Sequence, residues 1–379
     1  MHSKHAPHCI DVEILTVSHD IANLEHQWRG LYRESVSPSP PQGFDFVCRW
    51  IDETKESAEG RVVVVTARMH DDLVGLWPVL VRRRWGITWL DVVGFGANEE
   101  YAGPLISNRS DASEIALALW RGVSGLGDVV AIMISPSNPV RTVLTARKIK
   151  HVRQIRSPVA RLTQSPDFDA WMSRKSSSFR KGLRYDRRQI EKLGSVQLID
   201  GCTDETTSRS LIDWMFAEKR AFLARKGRKS EWISSQRSTR FLHKLIELSS
   251  PATSGVELWA LLVNDIPAAG AICLVSAQSI EIFFLVMNPE FAARSPGNLL
   301  LEDIARSARS REKDLDFRIT TDPYKMRWAD DSGAFETWRI ASTVRGALPV
   351  FAAVLESWRV AFRTWERELL QRARGPRTL

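Results

Sequence analysis

The sequence predicts an α/β protein of two lobes, each a mixed, largely antiparallel sheet flanked by helices. Three observations lead there. With 379 residues, the chain is more than twice the roughly 150 that make one ordinary domain. Short apolar runs of strand type alternate with longer stretches of helical period. A hairpin pattern in the first half, VVVVTARM, HDD, LVGLWPVLV, returns about 195 residues later as VELWALLV, ND, IPAAGAICLV, which reads as a distant internal duplication. The expected units are a first lobe over residues 1–165, a second over 166–345 and an amphipathic helix over 346–379.

Taken in order, DVEILTV at 11–17 alternates as a short strand, and the apolar positions Leu24, Trp28, Leu31 and 44–51 have helical spacing around the break SPSPPQG. RVVVVTARM, LVGLWPVLV and GITWLDVV form an antiparallel meander, followed by a helix near 111–124. DVVAIMI at 128–134 is a continuous apolar run of the kind buried on both faces; a further helix and the strand HVRQIRSPVARL follow. After Gln164-Ser165-Pro166, the stretch FDAWMSRKSSSFRKGLRYDRRQIEKLG reads as one long helix stopped by Gly194. The second lobe repeats the plan: strand SVQLID, helices at 211–223 and 241–248, and a meander closed by IEIFFLVM at 280–287. LDFRI at 315–319 is a last short strand. At the end, Phe351, Leu355, Trp358, Phe362, Trp365 and Leu369 are spaced four and three alternately, a seam expected to dock on the chain's own body, with a homodimer seam as the alternative.

Composition narrows the classes. An apolar share of 44% and a charged share of 26% exclude disordered and fibrous chains. The net charge of +8 favours anionic partners: nucleic acid, an anionic membrane or a phosphorylated cofactor. Cys9, Cys48, Cys202 and Cys273 lie far apart without a CxxC pair, as reduced thiols of a cytoplasmic protein do. The opening MHSKHAPHC has no apolar core of a secretory signal and reads as a frayed tail. GALPVFAAVL at 346–355 is half the roughly 20 apolar residues of a membrane span and runs into Glu356 and Arg359. No GxxxxGK[ST], HExxH or GxSxG occurs, and the histidines, His70 and His243 among them, are scattered, so no metal is expected. Basic residues between Arg174 and Lys192 surround their helix without a stacking or helix-turn-helix motif, which favours a solvated face or an anionic-substrate lid over nucleic acid.

The most informative stretch is IEIFFLVMNPEFAARSPGNLLLEDIARSA, a buried-type strand, a loop and a helix opened by Ser295-Pro296-Gly297. Ser295 suits the N-cap, Pro296 the first helical position, and Gly297 leaves the backbone bare. With the helix dipole and Arg294, this end fits phosphate or pyrophosphate oxygens; an ordinary capped helix has the same local pattern. In its setting of three antiparallel strands, this helix and a short strand, the chain resembles the GCN5-related N-acetyltransferase (GNAT) superfamily, with residues 294–299 similar to that superfamily's Arg/Gln-x-x-Gly-x-Gly/Ala loop. Leu299 departs from the small residue usual there. LDFRITTDPYKMRW at 315–328 and the basic helix SFRKGLRYDRRQIEKLG resemble the CelD-like (cellulose-biosynthesis-protein-like) acetyltransferase branch, whose members carry two GNAT-like halves.

The resemblance implies two tandem GNAT-like lobes, the second binding acetyl-CoA or another acyl-CoA as donor. Backbone groups of Val286 and Met287 then align the pantetheine arm like an added strand, while Arg294 and the amides of Gly297, Asn298 and Leu299 hold the pyrophosphate. The first lobe has no equivalent loop; GFGANEEYAGPL at 94–105 marks a degenerate copy shaping the acceptor pocket, with Tyr101 in its lining. Acyl transfer needs a base, a polarised carbonyl and a proton for the leaving thiolate. Tyr324 is the candidate acid; Asp316, Asp322 and Glu257 are the candidate bases; Lys325 is a candidate for an anionic acceptor or the CoA phosphate. Bland readings stand beside them: Asp322-Pro323 as a turn, Asp316 as a solvent-side strand residue, Lys325 as packing. The acceptor is an amine or hydroxyl on a small molecule or saccharide, in surface-polysaccharide or specialised-metabolite synthesis. Rival readings are Fem-type transfer from charged tRNA and a non-catalytic GNAT-like scaffold.

Overall fold

The computed structural model describes residues 10–36, 38–54, 60–94, 101–201, 204–247, 255–320 and 322–373, with 360–373 as backbone. Cys9, Cys202 and most of the GFGANEE segment lie outside them. The strands are β1 (Ile10–Leu15), β2 (Arg61–Met69), β3 (Asp72–Arg84), β4 (Ile87–Asp91), β5 (Leu105–Ile106), β6 (Val129–Ile134), β7 (Lys150–Ala160), β8 (Val196–Gly201), β9 (Val256–Val263), β10 (Ile266–Val275), β11 (Ser279–Met287), β12 (Asp314–Asp316) and β13 (Asp331–Ala341). All join one 13-stranded sheet in the order β1-β2-β3-β4-β6-β13-β7-β12-β11-β10-β9-β8, with β5 on β3.

That order carries the internal duplication. Matching β1–β4 to β8–β11, β6 to β12 and β7 to β13 turns it into its own reverse. The echoing hairpins β2-β3 and β9-β10 occupy matched places, and the turn of the second has Asn264 and Asp265 both at positive φ, +50° and +64°, between the paired Val263 and Ile266. The last strands of the halves are exchanged: β13 lies between β6 and β7, and β7 between β13 and β12. The two expected sheets are therefore one.

Helices cover both faces. On one, the helices Phe44–Thr54 and Gln236–Glu247, from opposite halves, share a core in which Phe241 meets Phe46 and Trp50 edge to face at centroid distances of 5.0 and 5.2 Å. On the other face each half has its own core, under Ala112–Ser124 in the first and under Ser177–Glu191 and Pro296–Ser310 in the second.

Four local expectations are corrected. The long helix after residue 166 is two, Phe168–Ser173 and Ser177–Glu191, because Ser176 starts the second by accepting the Phe179 N–H. The strand expected at 315–319 ends at Asp316, and Arg318 sits at φ +56°. The strand β13 was not foreseen, and its alternating SGAFETWRIA is the signal for it. The terminal helix, Val344–Ala373, packs through Val350 and Ala353, on the side away from Phe351, Leu355 and Trp358, which face solvent.

Phe241 is fully buried between the two halves, so Phe241→Ala removes packing on both sides and costs about 3–5 kcal/mol, read as a lowered urea midpoint. A loss within ~0.5 kcal/mol would mean that this shared core does not join the halves.

Candidate functional site

In each half two neighbouring parallel strands begin together and then part. In the first half β4 and β6 pair only at Trp89–Val129 and Leu90–Val130. The gap beyond is filled by the chain's own residues 101–106. Pro104 O accepts from Asn138 Nδ2 at 3.1 Å, Gly103 O accepts from Gln42 Nε2 at 2.7 Å, and a Cβ on Gly103 would stand 2.7 Å from Ile134. In the second half β11 and β12 pair over Ser279–Asp314, Ile280–Leu315 and Glu281–Asp316, then separate. Past Asp316 the chain turns away: Phe317 N donates to Pro158 O at 3.0 Å, and Lys325 Nζ gathers Phe317 O, Ile319 O and Thr320 Oγ1, each at 2.8 Å. From Ile282 to Met287 one edge of β11 bonds to β10, while no strand pairs with the other among the described residues.

Beyond this free edge begins the helix Pro296–Ser310. Ser295 does not cap it with its side chain; it sits in the left-handed region at φ +45°, where the turn Pro289–Arg294 runs into the helix. Its carbonyl accepts from Asn298 N at 2.9 Å and Leu299 N at 3.3 Å. Pro296 has no N–H, so the Gly297 N–H is the amide left over in this first turn. A Cβ on Gly297 would meet nothing within 4 Å. Arg294, half-buried, has no ion-pair partner among the described residues. Leu299 is buried, the Asn298 side chain accepts from Trp328 Nε1 at 3.2 Å, and Trp328 stacks on Trp171 and meets Phe179 edge to face. The basic helix Ser177–Glu191 lies along Pro296–Ser310, and its Arg187 binds Glu302, Asp303 and Leu299 O.

At the apex, where β11 and β12 part, lies a buried polar cluster drawn from both halves. Arg318 pairs with Glu281, and both are 3% exposed. The Asp316 carboxylate accepts from Ser157 Oγ, from the Arg318 N–H at 2.6 Å and from Tyr101 OH at 3.4 Å; Tyr101 OH also donates to Ser157 Oγ at 2.7 Å. The Tyr101 ring is held between the Arg318 guanidinium, 4.6 Å from its centroid, and the stacked Phe335 ring at 3.9 Å. Burial pushes the Tyr101 phenol well up, and the Asp316 charge adds to it. Burial also raises the Asp316 carboxyl, against hydrogen bonds from Ser157 and Arg318 that pull it down. A cleft of 340 Å³ opens onto this apex, lined by Gln42, Tyr101 and Asn138 from the first half and by Glu281, Asp314 and Asp316 from the second.

The structure thus brings Asp316 and Tyr101 together, and the solvent-side reading of Asp316 is corrected by its burial. Tyr324 packs on the second-half core, its phenol pushed up to about 12 by burial and by Asp322. Asp322 precedes the helix Pro323–Trp328 and accepts from Thr320 Oγ1 at 2.7 Å. Glu257 stands apart on β9, paired with Arg311 at 2.7 Å. Val286 and Met287 lie on the free edge. Glu281, Arg318 and Ser157 were missed; a charge inside the otherwise apolar IEIFF was the available signal for Glu281.

Residues 177–326 match the family model described as an acetyltransferase (GNAT) domain. That span, in the second half of the chain, is thus similar to a GNAT domain. It contains the free edge, the Gly297 helix end and the apex carboxylates. The fold over nearly the whole chain is similar to that of FemX, at 11% identity and TM-score 0.58, covering 86% of this chain and 96% of that one. It is also similar to the C-terminal domain of a putative lysylphosphatidylglycerol synthetase from Agrobacterium fabrum, at 10% identity and TM-score 0.53 over 88% and 97%. A conserved protein of unknown function from Bacteroides thetaiotaomicron gives 8% identity and TM-score 0.56 over 87% and 100%. No curated protein matches by sequence. Among the described residues no helix is long and apolar enough to cross a membrane.

The apex yields a pH signature. Between the ordinary carboxylate value, ~3.9, and its raised one, Asp316 holds more proton in the folded than in the unfolded chain, so its contribution to stability falls as pH rises through that interval. Asp316→Asn abolishes that titration, and the variant's stability relative to the wild type therefore climbs with pH over the same interval in urea unfolding. A difference flat in pH would put this carboxyl at its ordinary value.

Proposed function

We propose that the chain is an acyltransferase of the CelD-like GNAT branch that takes an acetyl or other acyl group from CoA and delivers it to an amine or hydroxyl. The observation that carries this reading is the free edge of β11, running from the apex toward a helix end with one spare amide and an unpaired arginine. An extended amide-bearing arm fits such an edge by adding to the sheet. Val286 and Met287 offer it backbone groups, and the Gly297 N–H and Arg294 suit a pyrophosphate. The amides of Asn298 and Leu299, spent on Ser295 O, are left out of this assignment. When bound, the acyl-CoA supplies the activated acyl group.

The remaining roles fall to the chain's own residues. The cleft between the halves receives the acceptor, a small molecule or saccharide in surface-polysaccharide or specialised-metabolite synthesis, which agrees with a cytoplasmic setting. Asp316, aligned by Ser157 and the Arg318 N–H, takes the proton of the acceptor's amine or hydroxyl directly or through water. Tyr324, whose phenol stays protonated at neutral pH, gives its proton to the departing sulfur. Lys325 holds the turn after Asp316 in place through its three carbonyl and hydroxyl partners, and so acts by positioning.

Calorimetric titration with acetyl-CoA and with a longer acyl-CoA tests the donor. The wild type binds at least one of them, and Gly297→Asp, with open space for its side chain but a carboxylate facing the pyrophosphate, loses about tenfold or more in affinity. No binding of either by the wild type overturns the reading in favour of a charged-tRNA donor or a non-catalytic scaffold. Asp316→Asn should keep the acyl-CoA affinity and lose roughly 10²–10⁴ in the rate of transfer to an amine; an unchanged rate would remove Asp316 as the base.

A further inference from the structure

The terminal helix Val344–Ala373 is seated on the sheet by one side only. Val350 and Ala353 are buried, Ser357 Oγ lies 2.8 Å from His151 Nε2, and Gly346 presses so close to Asp128 O that no Cβ would fit. The opposite side carries Val344, Leu348, Phe351, Leu355 and Trp358, spaced four, three, four and three, with exposures of 55% to 89%. At 3.6 residues per turn these positions form one apolar stripe. Five large apolar side chains in a row facing water is more than the scattered single residues of an ordinary surface.

A second exposed aromatic lies close by. Trp85, at the tip of the β3-β4 hairpin, is 82% exposed, and the Arg84 guanidinium sits 4.1 Å over its ring. The hairpin and the start of the helix meet at Asp128, whose carboxylate accepts from the Thr88 N–H and from Thr343 Oγ1, within electrostatic reach of both Arg83 and Arg345. Arg83 and Arg84 of the hairpin and Arg345 and Arg359 of the helix are exposed here, against Glu356, in a chain of net charge +8.

We propose that this stripe and the Trp85 tip form one surface that lies flat on an anionic lipid bilayer. Exposed Trp and Phe beside arginines match the boundary between acyl chains and headgroups, where rings enter the apolar side and guanidinium groups meet phosphates. Charge decides between occupants: a second copy would bring a surface of the same sign against this one, whereas anionic headgroups neutralise it. The helix lies in the plane of the bilayer, since it is not apolar enough to cross it. The proposal is independent of the donor reading above.

Flotation of the full chain with vesicles tests it. The protein floats with phosphatidylglycerol vesicles, much less with phosphatidylcholine alone, and is released by high salt. Leu348→Ser, Phe351→Ser and Trp358→Ser together lower the bound fraction about tenfold or more, and Trp85→Ser lowers it further. None of the four side chains is buried, so the melting temperature stays in place and loss of binding is not loss of fold. Absence of flotation with either vesicle overturns the proposal. So does a dimer, seen by light scattering, that the triple substitution dissolves without any vesicle binding, which would make the stripe a seam between copies.

Discussion

The arrangement rests on one exchange of strands. β13, from the end of the second half, forms ten residue pairs with β7 and six with β6, both from the first. From Glu336 to Ile340 its backbone donors and acceptors are thereby satisfied by the other half on both edges, and withdrawing it would strand them. The same exchange sets β7 against β12, pairing Val159 with Asp316 and Ala160 with Leu315. Ser157 comes within reach of the Asp316 carboxylate for that reason, and the apex is assembled from both halves.

The duplicated plan is symmetric in its strands and asymmetric in its gaps. In the first half, Gly103 and Pro104 occupy the space where β4 and β6 part, held by Gln42 and Asn138. In the second, the corresponding edge of β11 is left without a strand among the described residues. One half therefore spends its divergence on internal packing and on the wall of a cleft, while the other leaves a strand edge open. The buried Glu281–Arg318 pair stands between the two. A desolvated ion pair is a weak source of stability, yet it fixes geometry: here it holds a guanidinium against Tyr101 and points the Arg318 N–H at Asp316.

Much of the fold was legible because it is written in local pattern. The meanders, their acidic turns and the helix before β12 follow from alternation, β-branched runs and turn residues close in sequence. The duplicated hairpins were visible for the same reason. What was not legible depends on distant partners. Nothing local to SGAFETWRIA tells that it threads between β6 and β7, and nothing in LDFRI shows that the strand stops at Asp316, since Lys325 pulls the chain aside. Among the candidate-site residues, Asp316, Gly297 and Arg294 were reachable by motif. Ser157, Glu281 and Arg318 were not, because their meaning comes from burial beside groups over 30 to 150 residues away. Asn298 and Leu299 show the opposite limit: a motif names amides without telling which of them the helix has already used.

The strand exchange also bears on how the chain is made. β7 is complete at Ala160, but β13 begins only at Asp331, about 170 residues later. At roughly 5–20 residues per second, the first half waits on the order of 10–35 s at the ribosome with β6 and β7 lacking the neighbour they share. During that interval β6 has one open edge and β7, whose other neighbour β12 also belongs to the second half, has two, the usual templates for wrong pairing. The first half is thus not an independent folding unit that the second merely joins. Its completion waits until β13 has been made.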